Sequence, residues 1–346
     1  MCIWTAYAGP EPAGEIVYRT LKRTWGIWGG YFTGLVSNDA GKLVVGRTAG
    51  DFGVWESRFK PADFRGNAAI FHSRTPSEDD GTWSHPFGTD LVQVAEQGCF
   101  GCFHPKIEQD CSALAAELVA DGYEFPTATT RHPEGDWQVR LPDDRTVPSD
   151  EVIAFAADRI YKTTRDPFAA LRGSFGRVPS EAVVVSVFAD RPGKLYIANV
   201  NQRAALAHEH GGIVLSTTRM SFDDPAAGDI TEIPCNTVAE IGADGVCRFE
   251  TFLPDLRIER AVPAGFREQA IAWWRGKEKT HISAYWDEFL KNFWPQVPGL
   301  PDTRAIMAYR VLDELLMTGK LVTEIVEMPS YFAPEHCSRA VSTWRD

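Results

Sequence analysis

The first eight residues constrain the fold of this chain more than any other stretch. Residues 2–8 are almost continuously apolar and rich in β-branched and aromatic side chains, which is typical of a buried strand. If the initiator Met1 is removed, Cys2 carries a thiol next to an α-amine whose pKa of roughly 7.7–8.0 suits a general base. A cysteine that merely begins a buried strand gives the same pattern, so the rest of the sequence has to decide between the two interpretations.

The first 253 residues alternate between strand and helix patterns. Apolar residues at helical spacing predict helices at residues 13–25, 112–121 and 150–162. Apolar or β-branched runs predict strands at residues 35–37, 42–45, 67–74, 91–95, 183–188, 195–198, 212–217, 237–241 and 247–251. The strand at residues 91–95 is expected to stop at Glu96-Gln97-Gly98. Strands at both ends with helices between them favour two packed sheets covered by helices.

The last part of the chain shows a different pattern, in which helices predominate. Aromatic residues recur at helical spacing within residues 286–293 and predict a helix face that belongs to the core. A helix that Gly319 ends is followed by a predicted strand at residues 321–326, an order that resembles the end of a winged-helix module. We therefore expect two regions, 1–253 and 254–346, of which the second is mainly helical, winged-helix-like at its end and without an assigned role.

Charge and composition limit the partners of the chain. Its 346 residues carry a formal net charge of −12, and broad nucleic-acid binding rests instead on Lys and Arg that neutralise phosphates. No apolar run approaches the ~20 residues of a membrane span, and the first residues lack the layout of a signal peptide. We expect neither nucleic acid nor a membrane as a partner, and a cytoplasmic location.

The cysteines do not predict a disulfide framework, because they are seven in number and scattered over a long chain. Cys99, Cys102, His104 and Cys111 lie close enough in sequence to suggest zinc. However, no second paired set of ligands follows at a convincing spacing. We expect neither a metal nor a cofactor.

Five short motifs follow Cys2 in a fixed order. They are Gly29-Gly30-Tyr31-Phe32-Thr33-Gly34, His72-Ser73-Arg74, His85-Pro86, Gln97-Gly98 and Ser149-Asp150-Glu151-Val152-Ile153. No single motif is specific, but their order and spacing over residues 2–253 resemble the class II glutamine amidotransferase domain of the N-terminal-nucleophile hydrolases. The glutaminase half of glucosamine-6-phosphate synthase is the family member with the most similar arrangement. The resemblance implies an α+β fold, a four-layer αββα sandwich.

The resemblance also implies roles for individual residues. The Cys2 thiolate would attack the side-chain amide of glutamine, with its own α-amine as the base. Gln97 and Gly98 would stabilise the oxyanion. The substrate-binding residues implied are Arg74 for the α-carboxylate, Asp150 for the α-ammonium, and Ser149, Thr75 and His85 beside them, with His85 as a hydrogen-bonding residue and not a base.

The chain departs from the family pattern at three places. Gln97 replaces an asparagine and is one methylene longer. The residues after Arg74 read Thr75-Pro76-Ser77-Glu78-Asp79, where the family usually has Trp-Ala-Thr-His-Gly. Ser149 occupies the position of the ammonium-binding aspartate, and Asp150 follows one residue late. These changes affect the substrate pocket more than the fold.

The sequence therefore predicts a glutamine amidotransferase-like enzyme that hydrolyses glutamine, or a related γ-glutamyl amide, through Cys2. The ammonia would pass to an acceptor on a partner enzyme or on the C-terminal region. Two alternatives stay open. One is an amidohydrolase for a γ-glutamyl compound other than glutamine, and the other is a catalytically inactive interaction or regulatory protein with the same fold.

Overall fold

The structure, a computed structural model, describes residues 2–27, 29–74, 83–99, 107–130, 138–178, 180–254, 263–293, 304–329 and 336–346. The strands are β1 (Cys2–Ala8), β2 (Thr33–Asp39), β3 (Lys42–Thr48), β4 (Ala68–Arg74), β5 (Phe87–Gly88), β6 (Val92–Cys99), β7 (Gln138–Arg140), β8 (Thr146–Pro148), β9 (Glu181–Phe188), β10 (Leu195–Asn199), β11 (Ala205–Glu209), β12 (Gly212–Ser216), β13 (Thr231–Glu232), β14 (Thr237–Gly242), β15 (Gly245–Thr251), β16 (Thr280–His281), β17 (Leu321–Pro329) and β18 (His336–Trp344). The helices are α1 (Ala13–Lys22), α2 (Phe52–Arg58), α3 (Ile107–Ala120), α4 (Ser149–Thr164), α5 (Pro167–Phe175), α6 (Phe266–Arg275), α7 (Ile282–Ala284), which continues as a π-helical turn at Tyr285–Phe289, and α8 (Arg304–Met317). None of the described helices combines the length and the apolar sequence that a membrane crossing requires.

Most strands of the described residues belong to two antiparallel sheets. The first sheet has the strand order β13-β11-β12-β1-β4-β2-β3, and the second has the order β15-β14-β10-β9-β6-β5. β1 is the central strand of the first sheet and pairs with β12 on one edge and with β4 on the other. A central strand has no edge that faces solvent, which agrees with the apolar sequence of residues 2–8.

The two sheets pack face to face over an apolar core. Trp4 and Ala6 of β1 face inward and meet Val185 and Ile197 of the second sheet. Helices cover the outer faces: α3, α4 and α5 pack on the second sheet, and α1, α2, α6 and α8 pack on the first. The layers therefore run helix, sheet, sheet, helix, in agreement with the predicted αββα sandwich.

Strand β6 continues through Glu96-Gln97-Gly98, so the predicted stop at Glu96 is wrong. Gln97 pairs with Val183 of β9, and the strand ends only at Cys99. The backbone of Glu96 is satisfied on the opposite edge by two histidines. His72 Nε2 donates to the Glu96 carbonyl at 2.9 Å, and the Glu96 N–H donates to His85 Nδ1 at 3.4 Å. These bonds satisfy the backbone of Glu96 on the edge of β6 that faces away from β9.

The described residues of the C-terminal region combine helices with a small sheet, and the prediction of a mainly helical region stays a prediction. The region contains α6, α7 and α8, but also an antiparallel sheet in the order β16-β18-β17. The hairpin of β17 and β18 follows α8 directly, which extends the helix-then-strand order predicted from the sequence. Phe266, Tyr285 and Leu312 of this region share one core cluster with Ile3 and Tyr7 of β1. The region therefore covers the outer face of the first sheet, and a domain boundary at residue 253 stays a prediction.

A buried carboxyl lies in the first turn of α4. The hydroxyl of Thr127 donates a hydrogen bond to Glu151 Oε2. Burial raises the pKa of Glu151 from its usual 4.5 to about 7, although the Thr127 hydroxyl and the positive charge of Arg47 act in the opposite direction. The carboxyl therefore gains its charge near neutral pH in the folded protein.

Truncation of a buried leucine on α8 tests the packing of the C-terminal region. Leu312 is completely buried, so Leu312→Ala should lower the free energy of unfolding by about 2–5 kcal/mol in urea titrations followed by circular dichroism. Met317 on the same helix is 38% exposed, and Met317→Ala should change it by no more than about 0.5 kcal/mol. Equal effects of the two substitutions would contradict the packing of α8 on the first sheet.

The raised pKa of Glu151 makes stability depend on pH. Because the folded protein holds this proton more tightly, the stabilisation is complete below about pH 4.5 and is lost as the pH rises through about 7. Glu151→Gln should remove about 3 kcal/mol of the difference between the free energies of unfolding at pH 4.5 and pH 8. The control is the exposed Glu124→Gln, which should leave that difference unchanged. Parallel pH profiles of wild type and Glu151→Gln would contradict the assignment.

Candidate active site

Cys2 and Arg74 lie opposite each other at the ends of β1 and β4. Opposite residues of an antiparallel pair project to the same face of the sheet, and Trp4, two residues along β1, belongs to the core between the sheets. Both side chains therefore point toward the second sheet. Cys2 is half-buried and Arg74 is 8% exposed. The thiol and the guanidinium thus share one end of the interface between the sheets.

The glycine-rich stretch before β2 holds Arg74 in place. The Arg74 N–H donates to the Phe32 carbonyl at 3.0 Å, and the Arg74 carbonyl accepts from the Tyr31 N–H at 3.0 Å. Nη1 donates to the Trp83 carbonyl at 3.3 Å, and the guanidinium carbon lies 5.8 Å from the centre of the Phe32 ring. A guanidinium anchored in this way is oriented before any ligand arrives.

His85 connects strand β6 to helix α4 through its ring. Its carbonyl approaches β2 closely at Gly34, where an added Cβ would lie 2.0 Å from the His85 oxygen. On the ring, Nδ1 accepts from the Glu96 N–H, so Nε2 carries the proton that it donates to Asp150 Oδ2 at 2.8 Å. Burial lowers the pKa of His85 in spite of Asp150, so the ring is neutral at neutral pH. A neutral donor of this kind fits the expected hydrogen-bonding role.

His72 lies behind this contact. The centre of its ring is 4.1 Å from the centre of the His85 ring, and its Nε2 donates to the Glu96 carbonyl. Burial lowers the pKa of His72 well below its usual value, and the neighbouring His85 acts in the same direction. The ring is therefore neutral and packs behind the site.

The carboxylate of Asp150 lies in the first turn of α4 and is almost fully buried. Burial acts to raise its pKa, but the His85 hydrogen bond and the positive charge of Arg74 outweigh burial, so the pKa lies below the usual value. Ser149 Oγ donates to Asp150 Oδ1 at 3.5 Å. The structure thus places the aspartate that comes one residue late next to Arg74, with Ser149 beside it.

The charges around Cys2 act in opposite directions. Burial raises the pKa of the Cys2 thiol, the nearby Arg74 lowers it, and Asp150 raises it again. The net result is a pKa above the usual value. Ionisation of this thiol at neutral pH therefore requires a base.

Gln97 and Gly98 lie near the end of β6. Gln97 lies two residues after Ala95, which belongs to the core between the sheets, so its side chain is on the same face and points toward the first sheet. Gln97 is buried, and its Oε1 has no hydrogen-bond partner within the described part of the chain. Gly98 projects to the other face, where an added Cβ would lie 3.0 Å from Glu96 Oε1. The two expected oxyanion donors therefore lie on one strand that packs across from β1.

Glu96 belongs to this cluster and was missed by the sequence analysis. It is 3% exposed, and burial raises the pKa of its carboxyl. The charges of Asp150 and Cys2 also raise this pKa, and the charge of Arg74 lowers it. The available signal was one acidic residue placed between the apolar run of β6 and Gln97. An acid at this place in the sequence predicts the end of a strand instead.

Some expected residues lie outside the described ranges, among them Thr75, Cys102 and His104. The zinc site suggested by Cys99, Cys102, His104 and Cys111 therefore lies partly outside the described residues. Within the described residues, the ligand atoms of Glu209, His210 and Asp223 lie within 4.8 Å of one another. Arg23 already pairs with Asp223 on this surface, so the group is accounted for as an ion pair.

Comparison with known proteins places this geometry in context. No protein-family model matches the chain. Glutamine–fructose-6-phosphate aminotransferase (isomerizing) of Pyrococcus horikoshii is 27% identical over 225 residues, which covers 64% of this chain and 33% of the relative. The enzyme of the same name from Thermococcus kodakarensis is 25% identical over 202 residues, with coverages of 57% and 29%. The chain thus spans about a third of the length of the curated relatives it matches.

Two solved structures share the fold. Glutamine phosphoribosylpyrophosphate amidotransferase of B. subtilis, complexed with ADP and GMP, superposes with a TM-score of 0.56 and 16% identity. A structure described as the allosteric regulatory enzyme of purine biosynthesis gives a TM-score of 0.58 and 15% identity. Each match covers 78% of this chain and 52% of the other. The predicted resemblance is therefore confirmed: the chain is similar in sequence to glutamine–fructose-6-phosphate aminotransferases and shares its fold with a glutamine amidotransferase.

Proposed function

We propose that this protein hydrolyses the side-chain amide of glutamine, or of a related γ-glutamyl amide, with Cys2 as the nucleophile. One observation carries the proposal. Cys2 and Arg74 are paired across two central strands, and the carboxylate of Asp150 lies close enough to influence both. A thiol, a fixed cation and a fixed anion thus meet at one end of the sandwich.

The two fixed charges match the end of an amino acid. A guanidinium binds a carboxylate through two parallel hydrogen bonds. Arg74 is anchored by the carbonyl of Trp83 and by the backbone of Phe32. Asp150 keeps its negative charge through His85 and Arg74, so it can pair with an ammonium group. Arg74 and Asp150 would hold the α-carboxylate and the α-ammonium while the side-chain amide reaches Cys2.

The chemistry requires a base, because the pKa of the Cys2 thiol is raised. After removal of Met1, the α-amine of Cys2 would take the thiol proton, directly or through a water. The thiolate would attack the amide carbon, ammonia would leave, and water would release the acyl group from the thioester. Gln97 and the Gly98 N–H would stabilise the oxyanion, a contribution that typically amounts to about 10²–10³ in rate per donor.

The proposed fate of the ammonia is transfer to an acceptor. The curated relatives are named as aminotransferases, and this chain spans about a third of their length. We therefore place the acceptor on a partner enzyme or on the C-terminal region. Glutamate release that increases when the partner and its substrate are added would support this arrangement.

Covalent labelling tests the nucleophile. Incubation with a diazo-oxo-norleucine electrophile, followed by intact-mass spectrometry, should show loss of Met1 and one added group on Cys2. Cys2→Ala should abolish both labelling and glutamate release. Cys247 is an exposed free cysteine, and Cys247→Ala should leave both unchanged.

The second part of this test concerns the substrate. Arg74→Lys should raise the KM for glutamine by about 10- to 100-fold, because a lysine ammonium cannot donate the two parallel hydrogen bonds that a guanidinium donates to a carboxylate. Labelling by other γ-glutamyl amides but not by a glutamine analogue would favour the alternative amidohydrolase. An unlabelled Cys2 or a retained Met1 would favour the inactive interaction protein.

A further inference from the structure

A lysine and a cysteine are in contact at the end of the second sheet that is remote from the candidate site. Lys194 directly precedes β10, and its Nζ donates a hydrogen bond to Sγ of Cys247 in β15 at 3.1 Å. The candidate site lies at the other end of this sheet, where Gln97 pairs with Val183 and Val183 pairs with Asn199 at the end of β10. The contact between amine and thiol therefore has no part in the proposed function.

An irregularity in the β14–β15 hairpin determines where the thiol points. Glu240 pairs with Arg248 and Ile241 pairs with Val246, so Cys247 is the extra residue of a β-bulge. A bulge bends its strand and turns a side chain in a direction that regular pairing would not give it. The approach of Cys247 to Lys194 is thus built into the backbone of the hairpin.

The neighbours of this contact leave room for it and hold the nitrogen in place. At Gly242, an added Cβ would lie 2.8 Å from Lys194 Nζ and 3.0 Å from Cys247 Sγ, so a side chain there would crowd both atoms. Glu240 Oε1 lies 3.2 Å from Lys194 Nζ. The nitrogen is therefore held between a carboxylate and a sulfur.

Both reacting groups are accessible from solvent. Cys247 is an exposed free cysteine, and the side chain of Lys194 is 35% exposed. A small oxidant such as hydrogen peroxide can reach this thiol. Peroxide converts an accessible thiol to a sulfenic acid, which reacts further with a thiol or a nitrogen beside it. The nitrogen in contact with this sulfur is Lys194 Nζ.

We propose that Lys194 and Cys247 form an oxidative modification site, at which peroxide joins Nζ to Sγ through one oxygen atom. The separation of 3.1 Å favours a bridge through one atom, because a direct bond would have to draw nitrogen and sulfur much closer together. The inference does not depend on the proposed function, since neither residue belongs to the candidate active site.

The reaction is balanced with hydrogen peroxide as the oxidant. The first peroxide molecule gives one oxygen atom to the thiol, which yields the sulfenic acid and water. A second peroxide molecule removes one hydrogen from the amine and one from the sulfenic acid, the nitrogen–oxygen bond forms, and the peroxide leaves as two water molecules. An amine, a thiol and two peroxide molecules thus give the bridge and three water molecules, with sulfur and nitrogen oxidised and peroxide reduced.

Glu240 provides the proton acceptor that this reaction needs. Hydrogen bonds with Cys247 and Glu240 raise the pKa of Lys194, so its nitrogen is an ammonium before oxidation. An ammonium has no lone pair, and it must lose a proton before it can bond to oxygen. The carboxylate of Glu240, 3.2 Å away, is placed to take that proton.

The bridge would fasten an edge of the sandwich. β15 is an edge strand of the second sheet, and β14 separates it from β10. A covalent link from the residue before β10 to β15 ties three neighbouring strands together. It also closes a long loop of chain, which constrains the unfolded state in the way that a disulfide does. The oxidised protein should therefore unfold at a higher temperature than the reduced protein.

Peptide mapping tests the bridge in the full-length protein. After treatment with hydrogen peroxide, the protein is digested without a reducing agent and analysed by tandem mass spectrometry. We expect a linked pair of peptides that contain Lys194 and Cys247, with a mass equal to their sum plus one oxygen atom minus two hydrogen atoms. Dithiothreitol should separate the pair. Neither Lys194→Arg, which keeps the positive charge, nor Cys247→Ser should yield it.

Cys235 supplies the matched control. It is a half-buried free cysteine whose Sγ donates to Asn201 Oδ1 at 3.6 Å, so Cys235→Ser should yield the linked pair in unchanged amount. Thermal unfolding gives a second measurement. After the same peroxide treatment, the wild type should unfold at a higher temperature than Cys247→Ser, and dithiothreitol should remove the difference.

The possible results are distinct. Cys247 found only as a sulfenic, sulfinic or sulfonic acid, with Lys194 in a separate peptide, would overturn the bridge. A linked pair without the added oxygen atom would overturn it as well, in favour of a direct nitrogen–sulfur bond. If a variant does not fold, the fragment masses of the wild-type pair still decide the question. Because the labelling of Cys2 is measured separately, failure of the bridge and failure of the proposed function are distinguishable.

Discussion

The pairing register of β1 and β4 is the constraint on which the rest of the site depends. Side chains alternate between the two faces of a strand, so a slip of one residue would move Cys2 to the outer face that α1 and α6 cover. The register that places Cys2 opposite Arg74 also places Trp4 opposite His72. The same hydrogen bonds thus fix the nucleophile candidate, the cation and the histidine behind them. The relative positions of these residues are therefore set by strand pairing and not by a loop.

The electrostatics of the site follow from its burial. Burial lowers the pKa values of His72 and His85 and raises that of Glu96, because a charge there would lack hydration. The pKa of Asp150 is lowered instead, because the His85 hydrogen bond and the positive charge of Arg74 favour its carboxylate. Asp150 and Arg74 thus offer opposite charges to a ligand at the same end of the sandwich.

The sequence predicted the sandwich well because buried strands and amphipathic helices have clear patterns. β1 and β4 follow from apolar runs, and α4 follows from its helical periodicity. α5 was missed although Asp166 caps its first turn and Pro167 begins it, a recognisable start signal. Glu96 was missed for a different reason: an acid in a sequence is normally assigned to solvent, and only the fold shows the buried neighbours that raise its pKa. The roles of Cys2, Arg74 and Asp150 stay predictions.

Gly34 is a position next to the site that cannot accept any side chain. The carbonyl of His85 occupies the space that any side chain at position 34 would need, so the contact is between two backbones and involves no catalytic group. This approach of β2 to His85 admits only a hydrogen at position 34. A distant relative with altered chemistry would therefore be recognised more reliably by a glycine at this place in the hairpin than by its pocket residues.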